Sequence, residues 1–275
     1  MLFDTHAHLD AESFPDGVAA VIARAEAVGV KAFASIGVGS LELARNAVKL
    51  AESMPNVVAT VGVHPHDAST LGDALEAEIG ALAEHARVVA IGEVGLDYHY
   101  ENSPKDVQAS VFRRAIALAR RLKKPLVIHT RDAAKDTLAI LHEEQARDVG
   151  GIIHCFSEDK AFAKDALELG FYLSFSGILT FKSAVSVQEA ATFAPEDRLL
   201  VETDSPYLAP VPVRGKKCEP AFVVHTARRL AELRGADPGR IAEATTENAA
   251  RLFGLALNPA SEGRVTLDTE RNPGG

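Results

Sequence analysis

The stretch Phe3-Asp4-Thr5-His6-Ala7-His8-Leu9 ends with two histidines separated by a single residue. Alternate side chains of a β-strand share a face, so a strand here places His6 and His8 side by side. Two neutral imidazoles on one rigid strand can supply half of the ligands of a divalent metal ion. A solvent-exposed pair is the simpler alternative, and the rest of the chain decides between the two.

The composition indicates a large apolar core in an acidic protein. Hydrophobic residues make up 47% of the 275 residues, and the formal net charge is −9. The length is close to the roughly 250 residues of a single α/β barrel domain. An acidic chain is not a generally basic, non-specific nucleic-acid binder, so any phosphate group must be bound locally.

The N-terminus and the cysteines bear on localisation. The first residues lack the basic and then apolar pattern of a secretion signal, and apolar runs stay well short of the roughly 20 residues that span a bilayer. Cys155 and Cys218 are too few for a disulfide framework. The sequence therefore predicts a cytoplasmic protein with reduced thiols and no membrane contact, and it implies no protein partner.

Short apolar segments, often β-branched, alternate with segments of helical periodicity. The strand-like segments are 2–9, 31–38, 57–63, 88–94, 125–130, 151–156, 171–175 and 199–203. The helical segments are 18–27, 41–51, 75–84, 107–122, 133–142, 160–169, 186–193, 222–233 and 236–255. Ser103-Pro104 and Asp237-Pro238 fit an N-cap followed by a proline at the first helical position.

Eight β-then-α units predict an α/β fold, a single-domain (β/α)8 TIM barrel. An open, doubly wound sheet is the alternative, but no glycine-rich dinucleotide fingerprint follows the first strand. We assign the barrel domain to 1–257. The polar tail 258–275 is predicted to be flexible.

Nearly every predicted strand ends in histidines or acids. The strand ends carry His6 and His8, His64 and His66, Glu93, His129 with Arg131, His154, and Glu202 with Asp204. In a TIM barrel these ends meet at one mouth, where active sites lie. A cluster of titratable groups drawn from six strands therefore predicts a functional site.

The types of ligand favour two divalent metal ions. His6, His8 and Asp204 can surround one ion, and His129 and His154 can hold a second. Glu93 lies between the two sets and can bridge the ions with its two oxygens. Mixed nitrogen and oxygen ligands suit Zn, Mn, Co, Ni or Mg. Two ions about 3.5–4 Å apart can activate water and stabilise both the attacking and the leaving oxygen.

Asp4 and Glu202 lie two residues before His6 and Asp204, one layer deeper in the predicted barrel. Either residue could orient a metal ligand or make a structural hydrogen bond, and the sequence leaves the two roles open. Arg131 shares a face with His129 and could clamp an anionic substrate group together with His64.

Arg214 belongs to the loop 212–217 after the last strand, where barrels often bind phosphate. Composition alone favours an exposed basic turn, and the position of the loop at the mouth makes phosphate binding a competing interpretation. Asp97 could lie behind a ligand or stabilise the loop that follows the fourth strand. His99 lies in the same loop at the mouth, and its role is open.

The chain resembles the TatD family of metal-dependent deoxyribonucleases, within the amidohydrolase-like superfamily. The resemblance covers about residues 1–255 and keeps the order of its motifs. They are DTHAHL at 4–9, GVHPH at 62–66, IGEVGLDY at 91–98, VIHTRD at 127–132, HCFS at 154–157, SFSGI at 174–178, VETDSPYL at 201–208, RGKKCEP at 214–220 and EN at 247–248.

The resemblance implies a TIM barrel with a two-metal site. One ion would take His6, His8, Glu93 and Asp204, and the other would take Glu93, His129 and His154. Asp204 would also position or deprotonate the water. The implied activity is hydrolysis of phosphodiester bonds in DNA, often as a 3′ exonuclease on single strands.

The chain departs from the family pattern at two places. Cys218 stands where a polar residue is usual, and Glu158-Asp159 is an acidic pair where small polar residues are usual. Both departures bear on the binding of a polyanion, and neither affects a metal ligand.

Two other functions remain open. The same metals could hydrolyse a carboxyl ester or amide, as in an aminoacyl-tRNA deacylase or a lactonase. Alternatively, the barrel mouth could bind ligands without turnover, although the complete set of ligands argues against this.

Overall fold

A computed structural model describes residues 1–259 and 265–269. Eight parallel strands form one sheet in sequential order. The strands are β1 (Leu2–Ala7), β2 (Val30–Gly37), β3 (Val57–Val61), β4 (Val88–Asp97), β5 (Leu126–Arg131), β6 (Gly151–Ile153), β7 (Phe171–Phe175) and β8 (Leu199–Val201). The alternation of strands with helices confirms the predicted TIM barrel.

The helices lie between the strands and beyond the last one. They are α1 (Val18–Ala27), α2 (Leu41–Ser53), α3 (Asp73–Ala83), α4 (Lys105–Leu122), α5 (Ala134–Glu143), α6 (Lys160–Glu168), α7 (Val185–Phe193), α8 (Val223–Arg234) and α9 (Pro238–Phe253). Each helix of the described residues is too short or too polar to cross a membrane.

The first and last strands meet just beyond the end of β8. The His8 N–H donates to the Ser205 carbonyl at 2.8 Å, and the Asp204 N–H donates to the His6 carbonyl at 2.9 Å. These backbone bonds nearly close the barrel. They also fix the two histidines of the first strand against the acid that follows the last one.

The interior of the barrel is filled by apolar side chains from all eight strands. These include Phe3, Ala32, Val58, Val89, Val127, Ile152, Tyr172 and Leu200. Helix α9 packs against the same cluster, and the ring of Phe253 lies 5.8 Å from that of Phe3. This core fills the amino-terminal end of the barrel, so the polar side chains are left to the opposite end.

The two predicted helix starts have different outcomes. The Asp237 side chain accepts a hydrogen bond from the Arg240 N–H, which confirms the N-cap of α9. The N-cap at Ser103 was wrong, because α4 starts one residue later, after Pro104. The Ser103 hydroxyl instead donates to the His66 carbonyl and accepts from the Ser69 N–H.

The segment after α9 contains regular structure that the sequence did not predict. Strand β9 (Leu255–Pro259) pairs antiparallel with β10 (Val265–Thr269). The remainder of the tail predicted to be flexible, 260–264 and 270–275, lies outside the described residues. The domain boundary after residue 257 stays a prediction.

Candidate metal centre at the barrel mouth

Glu93 lies at the centre of the polar cluster, with its two carboxylate oxygens facing different histidines. Its Oε2 lies 3.4 Å from His6 Nε2 and 3.9 Å from His8 Nε2. Its Oε1 lies 2.8 Å from His129 Nδ1 and 3.0 Å from His154 Nε2. Glu93 therefore lies between two groups of histidines in the structure.

Asp204 completes the group on the β1 side. Its Oδ1 lies 3.7 Å from His6 Nε2 and 3.5 Å from His8 Nε2. Asp204 has a left-handed backbone, with φ at 57°, three residues after the end of β8. The structure thus brings His6, His8, Glu93 and Asp204 together, as the sequence predicted.

His64 joins the other group more closely than we expected. Its Nε2 lies 3.3 Å from Glu93 Oε1, the oxygen that also faces His129 and His154. His64, Glu93 and His129 offer ligand atoms within 4.8 Å of one another. His64 was predicted as a substrate-binding residue, and in the structure it also belongs to a group of side chains that could hold a metal ion.

The deeper acids make different contacts. Glu202 accepts hydrogen bonds from His154 Nδ1 at 3.0 Å and from the Cys155 N–H at 2.7 Å. Asp4 accepts from the N–H and the hydroxyl of Thr203, at 2.9 and 2.6 Å. Glu202 therefore orients an imidazole, whereas Asp4 ties β1 to the segment after β8.

Gly95 allows β4 and β5 to bring Glu93 and His129 together. It pairs with His129 in the sheet and has φ at +139°. A Cβ at this position would lie 2.0 Å from the His129 carbonyl oxygen. Only glycine permits this backbone conformation and this close approach.

The local charges favour ionised carboxylates. Burial would raise the pKa of Glu93, but the charges of His154 and His64 and hydrogen bonds from His129 and His154 hold the pKa well below its usual range. Burial also opposes ionisation of Asp204, and the hydrogen bond from His8 and nearby histidine charges outweigh it and lower the pKa. Two anionic carboxylates among neutral or cationic imidazoles form a site ready for cations.

The donor set fits divalent metal ions. The His6 imidazole is fully buried, and among the described residues neither of its ring nitrogens has a hydrogen-bond partner. The 3.4 Å approach of Nε2 to Glu93 lacks the alignment of a hydrogen bond. Buried polar atoms of this kind are costly unless a ligand satisfies them. Nitrogen and carboxylate donors converging on one point are what such an ion requires.

Asp97 takes both roles that the sequence left open for it, behind a histidine of the cluster and in support of the loop that follows. The sequence ended the fourth strand at residue 94, but β4 continues to Asp97. Its Oδ2 lies 2.9 Å from His66 Nε2 and 3.1 Å from His129 Nε2. Asp97 is four residues after Glu93, and residues an even number apart on a strand share a face. This spacing was the signal in the sequence that both carboxylates face the barrel interior.

The two arginines proposed for substrate lie beside aromatic rings. The Arg131 guanidinium lies 4.8 Å from the centre of the Tyr100 ring, and that of Arg214 lies 4.3 Å from the centre of the Phe181 ring. Both side chains are exposed. Both guanidinium groups are therefore accessible to a substrate. Among the described residues, neither arginine makes a direct contact with the histidine cluster.

A separate cleft of about 610 Å³ lies on the outside of the barrel, between α3 and α4. Its walls include Leu71, Ala77, Ile79, Val111 and Leu118. The cleft is mainly apolar, and its lining contains none of the histidines or acids of the cluster. The chemistry of the side chains, and not the size of a cavity, locates the candidate site.

Comparison with known proteins gives consistent results. The family described as TatD related DNase matches residues 3–254. An uncharacterised metal-dependent hydrolase of Bacillus subtilis, YabD, is 46% identical over 253 residues, covering 92% of this chain and 99% of that protein. The 3′-5′ ssDNA/RNA exonuclease TatD of Citrobacter rodentium is 35% identical over 264 residues, covering 94% and 100%.

A solved structure agrees with the fold. The crystal structure of YjjV, a TatD homologue of Escherichia coli K12, superimposes with a TM-score of 0.87 at 26% identity. The match covers 93% of this chain and 98% of that one. The resemblance inferred from the motifs is thereby confirmed over nearly the whole barrel.

Proposed function

We propose that this chain, which belongs to the TatD related DNase family of metal-dependent hydrolases, hydrolyses phosphodiester bonds in DNA. We propose further that it acts from the 3′ end of single strands. The observation that carries the proposal is the position of Glu93, whose two oxygens face two separate groups of histidines. A carboxylate so placed can bridge two ions, the arrangement that suits phosphoryl chemistry.

The proposed ligands of the two ions are those that the family resemblance implies. His6, His8, Glu93 and Asp204 would hold one ion, and Glu93, His129 and His154 would hold the other. Divalent ions bound there would lower the pKa of water and neutralise charge that develops on the phosphate.

The chain's own residues provide the other parts of the reaction. Asp204 is ionised, and its side chain is 14% exposed, so it can orient a water molecule and accept its proton. The water oxygen bonds to phosphorus, one ester P–O bond breaks, and the leaving oxygen takes up a proton from solvent. His64, Arg131 and Arg214 would hold the phosphate and the strand that continues from it.

Hydrolysis of end-labelled single- and double-stranded DNA in Mg, Mn, Co and Zn tests the proposal. We expect shortening from the 3′ end of single strands, which chelator abolishes. Glu93→Ala should remove this activity and keep the circular dichroism spectrum of the wild type. Glu243→Ala, at an exposed position of α9, is the matched control and should retain the activity.

The same assay separates the alternatives. Turnover by Glu93→Ala at the wild-type rate, in metal-controlled buffer, would refute the mechanism. Parallel reactions with aminoacyl-tRNA and lactones would reveal an ester hydrolase if only those substrates were cleaved. Bound metal without hydrolysis of any of these substrates would indicate a binding protein.

A further inference from the structure

Two exposed tyrosines stand beside the candidate metal centre. Tyr100 is 56% exposed and Tyr207 is 60% exposed, whereas the chain's other two tyrosines, Tyr98 and Tyr172, are partly or fully buried. Two exposed rings that border the same polar mouth offer aromatic surface to a ligand bound there. The positions of the two rings indicate which ligand this is.

Each ring contacts a different side of the site. Tyr207 packs edge-on to His8, with ring centroids 6.0 Å apart. Tyr100 packs edge-on to His66 at 5.4 Å, and His66 bonds to Asp97, which also bonds to His129. One ring therefore borders the His6 and His8 group, and the other borders the group around His129.

The topology places these rings across the mouth from each other. Tyr100 follows β4 and Tyr207 follows β8, and strands four positions apart in an eight-stranded barrel lie on opposite sides. A substrate whose phosphate lies over Glu93 thus has an aromatic face on either side of it.

Arg131 adds charge to one of the two positions. Its guanidinium lies over the Tyr100 ring at 4.8 Å and remains exposed. Proteins that bind single-stranded nucleic acid combine aromatic rings for the bases with cations for the backbone. A ring next to an exposed arginine can bind one nucleotide, because the base can stack on the ring while the phosphate binds the guanidinium.

We infer that Tyr100 and Tyr207 stack against the two nucleobases that flank the scissile phosphate. This inference rests on the proposed function, because it assumes a nucleic-acid substrate at the metal centre. Paired bases in a duplex are already stacked on their neighbours, and their release costs a few kcal/mol. The two rings therefore select unpaired ends, which gives the single-strand preference a physical cause.

The test combines loss of a ring with loss of a base. Tyr100→Leu and Tyr207→Leu are compared with Tyr100→Phe and Tyr207→Phe, which keep the ring. The substrates are a single-stranded oligonucleotide and the same oligonucleotide with abasic residues at its two 3′-terminal positions. Phe193→Leu, which removes a 40% exposed ring at the end of α7, is the matched control.

Stacking is worth about 1–3 kcal/mol per base, so each leucine variant should raise KM for the normal oligonucleotide about 5- to 150-fold. On the abasic oligonucleotide the leucine variants and the wild type should have similar KM values. The phenylalanine variants and Phe193→Leu should behave as wild type on both. The effect of removing a ring and that of removing a base are thus expected to be non-additive.

Two outcomes overturn the inference and leave the proposed function intact. One is an unchanged KM for both leucine variants on the normal oligonucleotide. The other is an equal loss on the normal and the abasic oligonucleotide, which would indicate a structural role for the rings. Absence of DNA cleavage by the wild type in every metal would instead overturn the proposed function, and the inference with it.

Discussion

Asp97→Asn should weaken metal binding without unfolding the barrel. Asp97 is fully buried at the end of β4, and its carboxylate accepts four hydrogen bonds. Its Oδ1 accepts from the N–H groups of His99 and Tyr100, both at 3.0 Å. Its Oδ2 faces His66 Nε2 at 2.9 Å and His129 Nε2 at 3.1 Å.

The expected loss follows from the protonation of His129. With a metal bound, Nε2–H would donate to Asp97 and the Nδ1 lone pair would be free on the side that faces Glu93. An asparagine that keeps the two backbone bonds points its NH₂ group at Nε2, so the ring proton must move to Nδ1. That tautomer cannot offer Nδ1 to a metal.

Loss of a carboxylate that orients a metal-binding histidine costs about 10- to 100-fold in metal affinity. This range corresponds to about 1.4–2.7 kcal/mol. Titration calorimetry of the chelator-treated protein with Mn²⁺ measures the change directly. Activity as a function of Mn²⁺ concentration should show the same shift, with turnover restored at high metal concentration.

Asp136→Asn is the matched control for this measurement. Asp136 is an exposed carboxylate that accepts a hydrogen bond from the Tyr98 hydroxyl at 2.9 Å. We expect its substitution to leave the metal affinity unchanged. Wild-type affinity in Asp97→Asn, with the melting curve of the wild type, would show that Asp97 does not orient His129 for a metal.

Two other predictions concern the glycine between the ligands and a buried thiol. Gly95→Ala should lower the free energy of unfolding by about 1–3 kcal/mol, because its Cβ would lie 2.0 Å from the His129 carbonyl oxygen, and it should weaken metal binding too. Urea denaturation measures this change, and unchanged stability would mean that β4 and β5 can separate at no cost. Cys218 should resist iodoacetamide at pH 8 in the folded protein and react after denaturation. Burial and the charge of Asp4 raise the pKa of its thiol to about 12, so about one molecule in 10⁴ carries the reactive thiolate at pH 8. Peptide mass spectrometry reads the modification, and alkylation of the folded protein at the rate of a free thiol would contradict it.

The strand periodicity and the composition were sufficient for the barrel and for most of the site. Short apolar segments followed by amphipathic helices leave few architectures open, and the mouth then collects the residues at the strand ends. His6, His8, Glu93, His129, His154 and Asp204 were predicted to meet, and their side chains converge in the structure. Their assignment to two metal ions stays a proposal.

The wrong predictions concern the boundaries of strands and helices. A strand boundary depends on pairing with a neighbour, and the fourth strand continues to Asp97 because β5 pairs with it as far as Arg131. The pattern of apolar residues stops earlier, so Asp97 was placed in a loop. Ser103 was assigned to a helix cap because Ser-Pro is a common local start, but its hydroxyl bonds to residues 69 and 66 on another segment.

Local patterns in the chain were enough to predict the class of fold, the barrel mouth as the candidate site and the types of side chain that meet there. These depend on local periodicity and on the chemistry of each side chain. The three-dimensional arrangement was needed to show which oxygen of Glu93 faces which histidine. It was also needed to show that Glu202 orients His154 while Asp4 binds Thr203. The same holds for Tyr100 and Tyr207, which stand on opposite sides of the site. Distances between segments separated by up to 200 residues depend on barrel closure and on strand register, and local sequence does not encode either one.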